Sequence, residues 1–327
     1  MAKIAVLGSG GWGMALAISA NYCGHEVSVW SPFEQEVAQL KEKRANDRLL
    51  PGVVLPEEIE ITGNLSCVEG ASITIIACPS SAVRDVAKKL SAYRDFGIVV
   101  NVAKGFEKGT LLRLSQVLTE ELPESPIVVL SGPSHAEEVA KHIPTTVVAA
   151  CKSRAVAEAV QDMLSNDFFR IYTATDVVGV ELGGALKNVI AVCAGFCDGL
   201  ELGDNTRAAM MTRGLAEMSR LGVCMGAKEY TFSGLAGIGD LIVTCTSRHS
   251  RNNNFGRLVG TGVSVEEALE RIGTVEGYYA AAIAYELAKK YKIEMPIIEE
   301  CYGVLYENKD VNGVLSRLMM RPKRSEH

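Results

Sequence analysis

The feature that most constrains this chain is the stretch Gly8-Ser-Gly-Gly-Trp-Gly13. It stands between a short apolar run, Lys3-Ile-Ala-Val-Leu7, and the helix-forming Trp12-Gly-Met-Ala-Leu-Ala-Ile18. Strand, glycine turn and helix follow in that order. Gly8, Gly10 and Gly13 have the spacing G-x-G-x-x-G. The first glycine permits a tight turn, the second lets the backbone approach a pyrophosphate, and the third lets the helix lie close on the strand. The N–H groups at the helix start then face the phosphates, with the helix dipole in their favour. The same motif occurs in turns that hold no ligand. Here a second strand, His25-Glu-Val-Ser-Val-Trp30, follows close behind and supplies the context that dinucleotide binding requires.

The alternation continues. A charged helix is predicted over residues 33–44, a short strand over 58–62, and a buried strand at Ile73-Thr-Ile-Ile-Ala77. After Cys78-Pro79, Ser80 or Ser81 can cap a helix running to Leu90. Ile98-Val-Val-Asn101 reads as a strand, residues 111–121 as a helix, and Ile127-Val-Val-Leu130 as a strand that delivers Ser131-Gly-Pro-Ser-His135. Residues 145–150, 153–164 and 168–172 add strand, helix and strand. This order predicts an α/β fold with a Rossmann-type doubly wound sheet, whose ligands bind beyond the carboxyl ends of the strands. Gly10, Cys78, Lys104 and Ser134 all follow strands, and Gly132 and Ser134 are counted among the substrate candidates. From Asp176 the strand-like runs stop. Apolar residues then recur at helical spacing over 206–221, 264–272, 276–291 and 297–306, with a capping box at Ser264-x-x-Glu267. The expected division is a dinucleotide-binding domain over residues 1–180 and an all-α substrate and catalytic domain over 181–327.

A chain of 327 residues accommodates two such domains. The net charge of −6 argues against a nucleic-acid footprint, since the one short basic run is the tail Arg321-Pro-Lys-Arg324. No membrane span is expected, because the longest apolar stretch, 177–200, carries Glu181, Lys187, Asp198 and several glycines. Met1 to Ala20 has a lysine followed by apolar residues, like a signal peptide, but glycines cut its apolar core. Nine cysteines without a C-x-x-C pair read as buried thiols in a reducing, cytoplasmic setting. No spacing among the five histidines suits a metal.

Two places invite chemistry. The helix over 177–198 is apolar almost all round, so it is expected to be buried between the domains, with Lys187 in its middle. A buried ammonium is costly unless it is paired or used. Gly183 and Gly184 lie one turn earlier on its face and suggest space for a ligand; Asn188 is adjacent and Glu181 shares the face. The competing reading is a lysine that snorkels to solvent or pairs with a buried carboxylate. The second place is the run from Gly237 to Phe255. There Asp240 sits among apolar residues, and Arg248, Ser250, Arg251 and Asn252 offer donors suited to a phosphate, or simply to a polar surface loop. At the end of the second strand, Trp30-Ser31-Pro32 presents neither the carboxylate that binds NAD ribose nor an arginine for NADP, and Glu34 comes slightly late. Either NAD or NADP is tolerated, with only a weak preference for NADP expected.

These segments together resemble the bacterial-type NAD(P)-dependent glycerol-3-phosphate dehydrogenases, nearly end to end. The resemblance rests on the glycine turn, Asn101-Val-Ala-Lys-Gly105 and Ser131-Gly-Pro-Ser-His-Ala-Glu-Glu138. It continues through Glu181-Leu-Gly-Gly-Ala-Leu-Lys-Asn-Val-Ile190, the Gly239–Gly256 cluster and Val275-Glu-Gly277. It implies interconversion of dihydroxyacetone phosphate and sn-glycerol 3-phosphate for phospholipid synthesis. The family's catalytic lysine falls on Lys187. Its substrate contacts fall on Lys104, Asp240, Ser250, Arg251 and Asn252, with Asn188 and Thr244 alongside. Its cofactor contacts fall on Gly11, Trp12, Lys104, Ala136, Arg251 and Glu276, and near Ser31. Two departures stand out: Gly11 replaces a frequent serine, and Ser31-Pro32 replaces more basic residues. The mechanism this implies makes Lys187 the general acid, Lys104 a second positive charge, and Asp240 the residue that places the lysines. Another hydroxyacid or sugar-acid dehydrogenase, or a nucleotide sensor without turnover, would share the first domain but has no need of the Arg251 cluster or of all three catalytic candidates. The expected partner is a small phosphorylated substrate, and the expected assembly a homodimer.

Overall fold

The structure is a computed structural model describing residues 1–323, 325 and 326; Arg324 of the basic tail and His327 lie outside these. The chain divides into two compact units, the first ending at Glu181 and the second beginning at Leu182.

The first unit is built on eight strands: β1 (Lys3–Leu7), β2 (Glu26–Trp30), β3 (Glu60–Thr62), β4 (Ile73–Ile76), β5 (Ile98–Asn101), β6 (Ile127–Ser131), β7 (Thr145–Ala150) and β8 (Phe169–Ala174). Six helices accompany them: α1 (Gly11–Tyr22), α2 (Glu34–Lys43), α3 (Val83–Leu90), α4 (Leu114–Glu121), α5 (Ala136–Ala140) and α6 (Arg154–Leu164). The strands form one sheet in the order β3-β2-β1-β4-β5-β6-β7-β8. From β1 the chain winds outward through β2 and β3, then crosses back to β4, so the order reverses between β1 and β4. That reversal is where open α/β sheets hold ligands. Leu7 is in register with Trp30 on one side and Ile76 on the other, so Gly8, Ser31 and Ala77 leave the sheet side by side. Strand residues alternate between two apolar layers. Ile4, Val6, Val27 and Val29 enter one, and Ala5, Leu7, Trp30 and Ile76 the other. Burial on both faces explains the continuous apolar runs in the sequence.

Three local features depart from the sequence reading. Pro79 leads into a 3-10 turn over Ser80–Ala82, and α3 begins only at Val83 with no side-chain cap, so neither Ser80 nor Ser81 caps it. Leu111 takes a left-handed φ of 61°, which defers the next helix to Leu114. β7 runs antiparallel to β6. The link between them holds the five-residue α5, which the sequence reading did not separate, and it reverses the chain instead of carrying it back across the sheet.

The second unit is helical. α7 (Val177–Gly199) enters it from the first unit and is followed by α8 (Asp204–Cys224), α9 (Asp240–Thr246), α10 (Arg251–Gly260), α11 (Val265–Ile272), α12 (Glu276–Tyr291), α13 (Pro296–Tyr306) and α14 (Val314–Met319). α7 is long and apolar enough to cross a membrane by length and composition. In the fold, 89% of its most apolar window is buried, as in a core helix. α10 packs backbone to backbone against it: a Cβ on Gly195 would stand 2.2 Å from the Asn253 carbonyl, and one on Gly256 2.1 Å from that of Val192. Ser264 caps α11 by accepting from the Glu267 N–H, while the Glu267 carboxylate turns to Arg271 instead of closing the reciprocal bond. All nine cysteines are free thiols.

Candidate active site

In the first unit the glycine turn has one open position. Gly8 has φ 131°, and a Cβ there would sit 2.6 Å from the Ala77 carbonyl oxygen; a Cβ on Gly13 would sit 2.1 Å from that of Gly8. Above Gly10 nothing lies within 4 Å of such an atom. Gly10 is also the N-cap of α1, which has no side-chain cap and no acidic residue in its first turn. The opening N–H groups of α1 therefore face space with no side-chain acceptor, an arrangement that fits a pyrophosphate. Gly11 is closed on its own account: a Cβ there would lie 2.4 Å from the Leu49 carbonyl, so any side chain at this position requires that backbone to move. The same position is 3.7 Å from the Ala136 methyl, which brings the start of α5 beside Gly11, and Trp12 and Ala136 pack on the same apolar layer.

Next along the strand ends, Lys104 follows β5. Its ammonium donates to the Gly132 carbonyl at 2.9 Å and to Ser134 Oγ at 3.1 Å, and Ser134 Oγ donates to the Gly132 carbonyl at 2.9 Å. The candidates Lys104, Gly132 and Ser134 thus form one group. Ser31 is buried. Its hydroxyl donates at 2.5 Å to Glu36, a residue that the sequence reading passed over because it belongs to α2 and not to the strand end.

The second unit assembles its group from four helices, α7, α9, α10 and α12. Lys187 and Asp240 are 5% and 1% exposed. The Lys187 ammonium donates to Asp240 Oδ1 and to Thr244 Oγ1, both at 2.6 Å, and Thr244 in turn donates to the Asp240 carbonyl at 2.6 Å. The lysine is therefore paired, as the competing reading allowed, and its carboxylate partner is Asp240. Glu181 is engaged within the first unit, accepting from Arg113 and from the Ser115 N–H and hydroxyl, each at 2.6 Å. The expected ligand space over Gly183 is filled. A Cβ there would meet the Ala236 carbonyl at 2.3 Å, so that glycine admits the π-helical turn Leu235–Gly239 that presents Asp240. Such turns recur at functional sites because they aim a side chain that regular helix geometry would not.

Beyond the pair, Asn188 Oδ1 accepts from Asn252 Nδ2 at 2.9 Å, and Asn252 Oδ1 accepts from the Gly277 N–H at 2.9 Å. This chain fixes the starts of α10 and α12 to α7. It places Arg251 and Glu276 each one residue before a bonded position. Ser250 spends its hydroxyl as the N-cap of α10, accepting from the Asn253 N–H. Arg251 is exposed and makes no hydrogen bond or ion pair with a described residue. Asn253, which the sequence reading missed, donates to Asp198 Oδ2 at 2.9 Å and to the Cys245 carbonyl at 3.1 Å, closing the cluster from behind. Burial pushes the Cys245 thiol up to about 12, which leaves it an inert packing group. Among the described residues no set of three or more His, Cys, Asp or Glu side chains could hold a metal.

A doubly wound sheet with an open glycine turn, continued by a helical unit that buries an ammonium–carboxylate pair, defines a two-unit dehydrogenase of the α/β class. The family descriptions that match are the NAD-dependent glycerol-3-phosphate dehydrogenase N-terminus over residues 3–157 and its C-terminus over 176–316. The chain belongs to that NAD-dependent glycerol-3-phosphate dehydrogenase family. It is 55% identical to the glycerol-3-phosphate dehydrogenase [NAD(P)+] of Desulfitobacterium hafniense, over 100% of this chain and 93% of that one. It is 49% identical to the enzyme of the same name from Fusobacterium nucleatum, over 100% and 99%. The crystal structure of glycerol-3-phosphate dehydrogenase from Coxiella burnetii superposes with a TM-score of 0.94 at 38% identity, covering 98% of this chain and 99% of that one.

Proposed function

We propose that this protein is an NAD(P)-dependent glycerol-3-phosphate dehydrogenase that interconverts dihydroxyacetone phosphate and sn-glycerol 3-phosphate. The observation that carries this reading is the buried Lys187–Asp240–Thr244 cluster, because a desolvated ammonium held at fixed position is what a carbonyl reduction needs. The dinucleotide, when bound over Gly10, supplies the hydride that reaches C2 of the ketone. As the ketone oxygen gains negative charge, the Lys187 ammonium stabilises it and gives it a proton; in the oxidative direction the amine takes that proton back. Asp240 and Thr244 hold Nζ in place, so little reorganisation is required at the moment of transfer. Lys104, held by Gly132 and Ser134, adds positive charge and orients the substrate. Arg251, with Ser250, Asn252 and Asn188, anchors the phosphate, and anchoring it positions the reacting carbon. Gly8, Gly10, Gly11, Trp12, Gly13, Ser31 and Ala136 serve the dinucleotide, as do Arg251 and Glu276. The protein works in the cytoplasm as a homodimer, the commonest oligomer, and its product enters phospholipid synthesis.

The test is oxidation of NADH and of NADPH, followed by absorbance, with dihydroxyacetone phosphate or unphosphorylated dihydroxyacetone. Oxidation with the phosphate ester and none with the bare triose is the expected result. Equal rates with both would remove the phosphate anchor. Folded protein that binds a dinucleotide and turns over neither would remove the reaction.

A further inference from the structure

The residue that reads the adenosine ribose in this sheet type is ordinarily a carboxylate at the end of the second strand, about 20 residues past the glycines. In this chain the strand end is Trp30-Ser31-Pro32. The structure supplies a carboxylate to that place from the helix that follows. Glu36, in the first turn of α2, directs its side chain back to the strand end. Its Oε2 accepts from Ser31 Oγ at 2.5 Å and from Ser9 Oγ at 2.7 Å. Ser31 directly follows β2, and Ser9 lies inside the glycine turn, between Gly8 and Gly10. One oxygen is thus pinned by a hydroxyl from each of two neighbouring loops. The other, Oε1, accepts from no described residue, and the side chain is only partly buried. Phe33, in the same loop, leaves a ring that is 67% exposed, an apolar face of a kind that suits a purine.

We infer that Glu36 is the residue by which this chain selects NADH over NADPH, an inference that rests on the dinucleotide reading of the glycine turn. Oε1 accepts from the ribose 2′-hydroxyl. A 2′-phosphate brings about two negative charges to the same place and meets a fixed carboxylate. The serines cannot relieve that repulsion, since both hydroxyls already donate to Glu36. A cation near this strand is Lys89, whose ammonium lies 6.0 Å over the Trp30 ring.

The experiment is direct binding of NADH and of NADPH to the intact protein, without substrate, by titration calorimetry. The expected result is NADH binding at least about tenfold more tightly, and a ratio in Glu36→Gln that falls towards one, mainly because NADPH binds more tightly. Glutamine keeps an acceptor for both serines, so the fold should hold, and thermal melting checks this. Ser31→Ala unpins the carboxylate and should weaken NADH severalfold with no loss of melting temperature. Equal affinities in the parent protein, or an unchanged ratio in Glu36→Gln, overturn the inference. A preference for NADPH that disappears in Lys89→Ala overturns it too and assigns the phosphate to that ammonium. Folded protein that binds neither nucleotide overturns the dinucleotide reading, and this inference with it.

Discussion

The two units prepare for chemistry in opposite ways. The first presents backbone: six consecutive residues, four of them glycine, clear a space over Gly10 and leave the opening N–H groups of α1 without a side-chain acceptor. The second presents side chains, and Lys187 meets partners 53 and 57 residues further along. A backbone site is local, so its conformational demands are written as glycine spacing. A side-chain site of this kind is tertiary. It exists only when α7 and α9 pack closely enough to bring an ammonium and a carboxylate to 2.6 Å.

The contrast predicts that the two sites fail separately. Lys187→Ala should lower turnover by about 10²–10⁴-fold, the ordinary worth of a positioned proton donor, while NADH binding stays within about twofold. The variant also leaves Asp240 buried without its partner, at a cost of roughly 3–5 kcal/mol. The double variant Lys187→Ala with Asp240→Asn removes that charge, so its melting temperature should recover while turnover does not. Steady-state assays and thermal melts on the two variants read both quantities. Turnover that returns with stability would make the pair structural and erase the contrast.

A smaller effect separates two roles within the glycine turn. Gly10→Ala adds a methyl to open space, so the protein should melt as the parent does and bind NADH about tenfold more weakly. Gly13→Ala drives a methyl to 2.1 Å from the Gly8 carbonyl, so there the melting temperature itself should fall. Nucleotide titration beside differential scanning calorimetry distinguishes them. A Gly10→Ala protein with parental affinity would mean that the phosphates do not approach this backbone.

The same contrast explains what could be read from the sequence. The glycine turn, the strands at Ile73 and Ile98 and the helical periodicity after Asp176 are short-range patterns, and the structure carries all of them. Lys187 and Asp240 were each legible as costly charges among apolar residues. The role of Gly183 was not legible, because a helical face says nothing about which backbone will fill it, and here Ala236 does. Glu36 escaped for a related reason: counting along the chain finds Ser31, but the carboxylate arrives from the next helix. The reversal of β7 depends on α5, five residues long and too short to announce itself by periodicity.

One residue of the helical unit crosses the divide, and it carries the smallest predicted effect. Glu217, on α8, is 2% exposed and uses its carboxylate as the first unit uses a ligand. It accepts from the backbone N–H groups of Ile297 and Ile298 at 2.9 and 3.2 Å, where α13 begins at Pro296. Burial pushes its pKa up to about 7 from an ordinary 4.5, with the two N–H donors pulling the other way. A carboxyl that holds its proton more tightly when folded contributes stability that is complete below about 4.5 and lost as the pH rises through about 7. Arg220 and Glu299 also act on this group, with opposite signs. The parent protein should therefore lose more melting temperature between pH 5 and pH 8 than Glu217→Gln does, by about 3 °C. Parallel melting curves for the two proteins across that range would mean that the carboxylate is already ionised in the fold. Two backbone donors at a helix start would then outweigh burial inside the second unit, and anion capture by a helix N-terminus would no longer distinguish the first unit from the second.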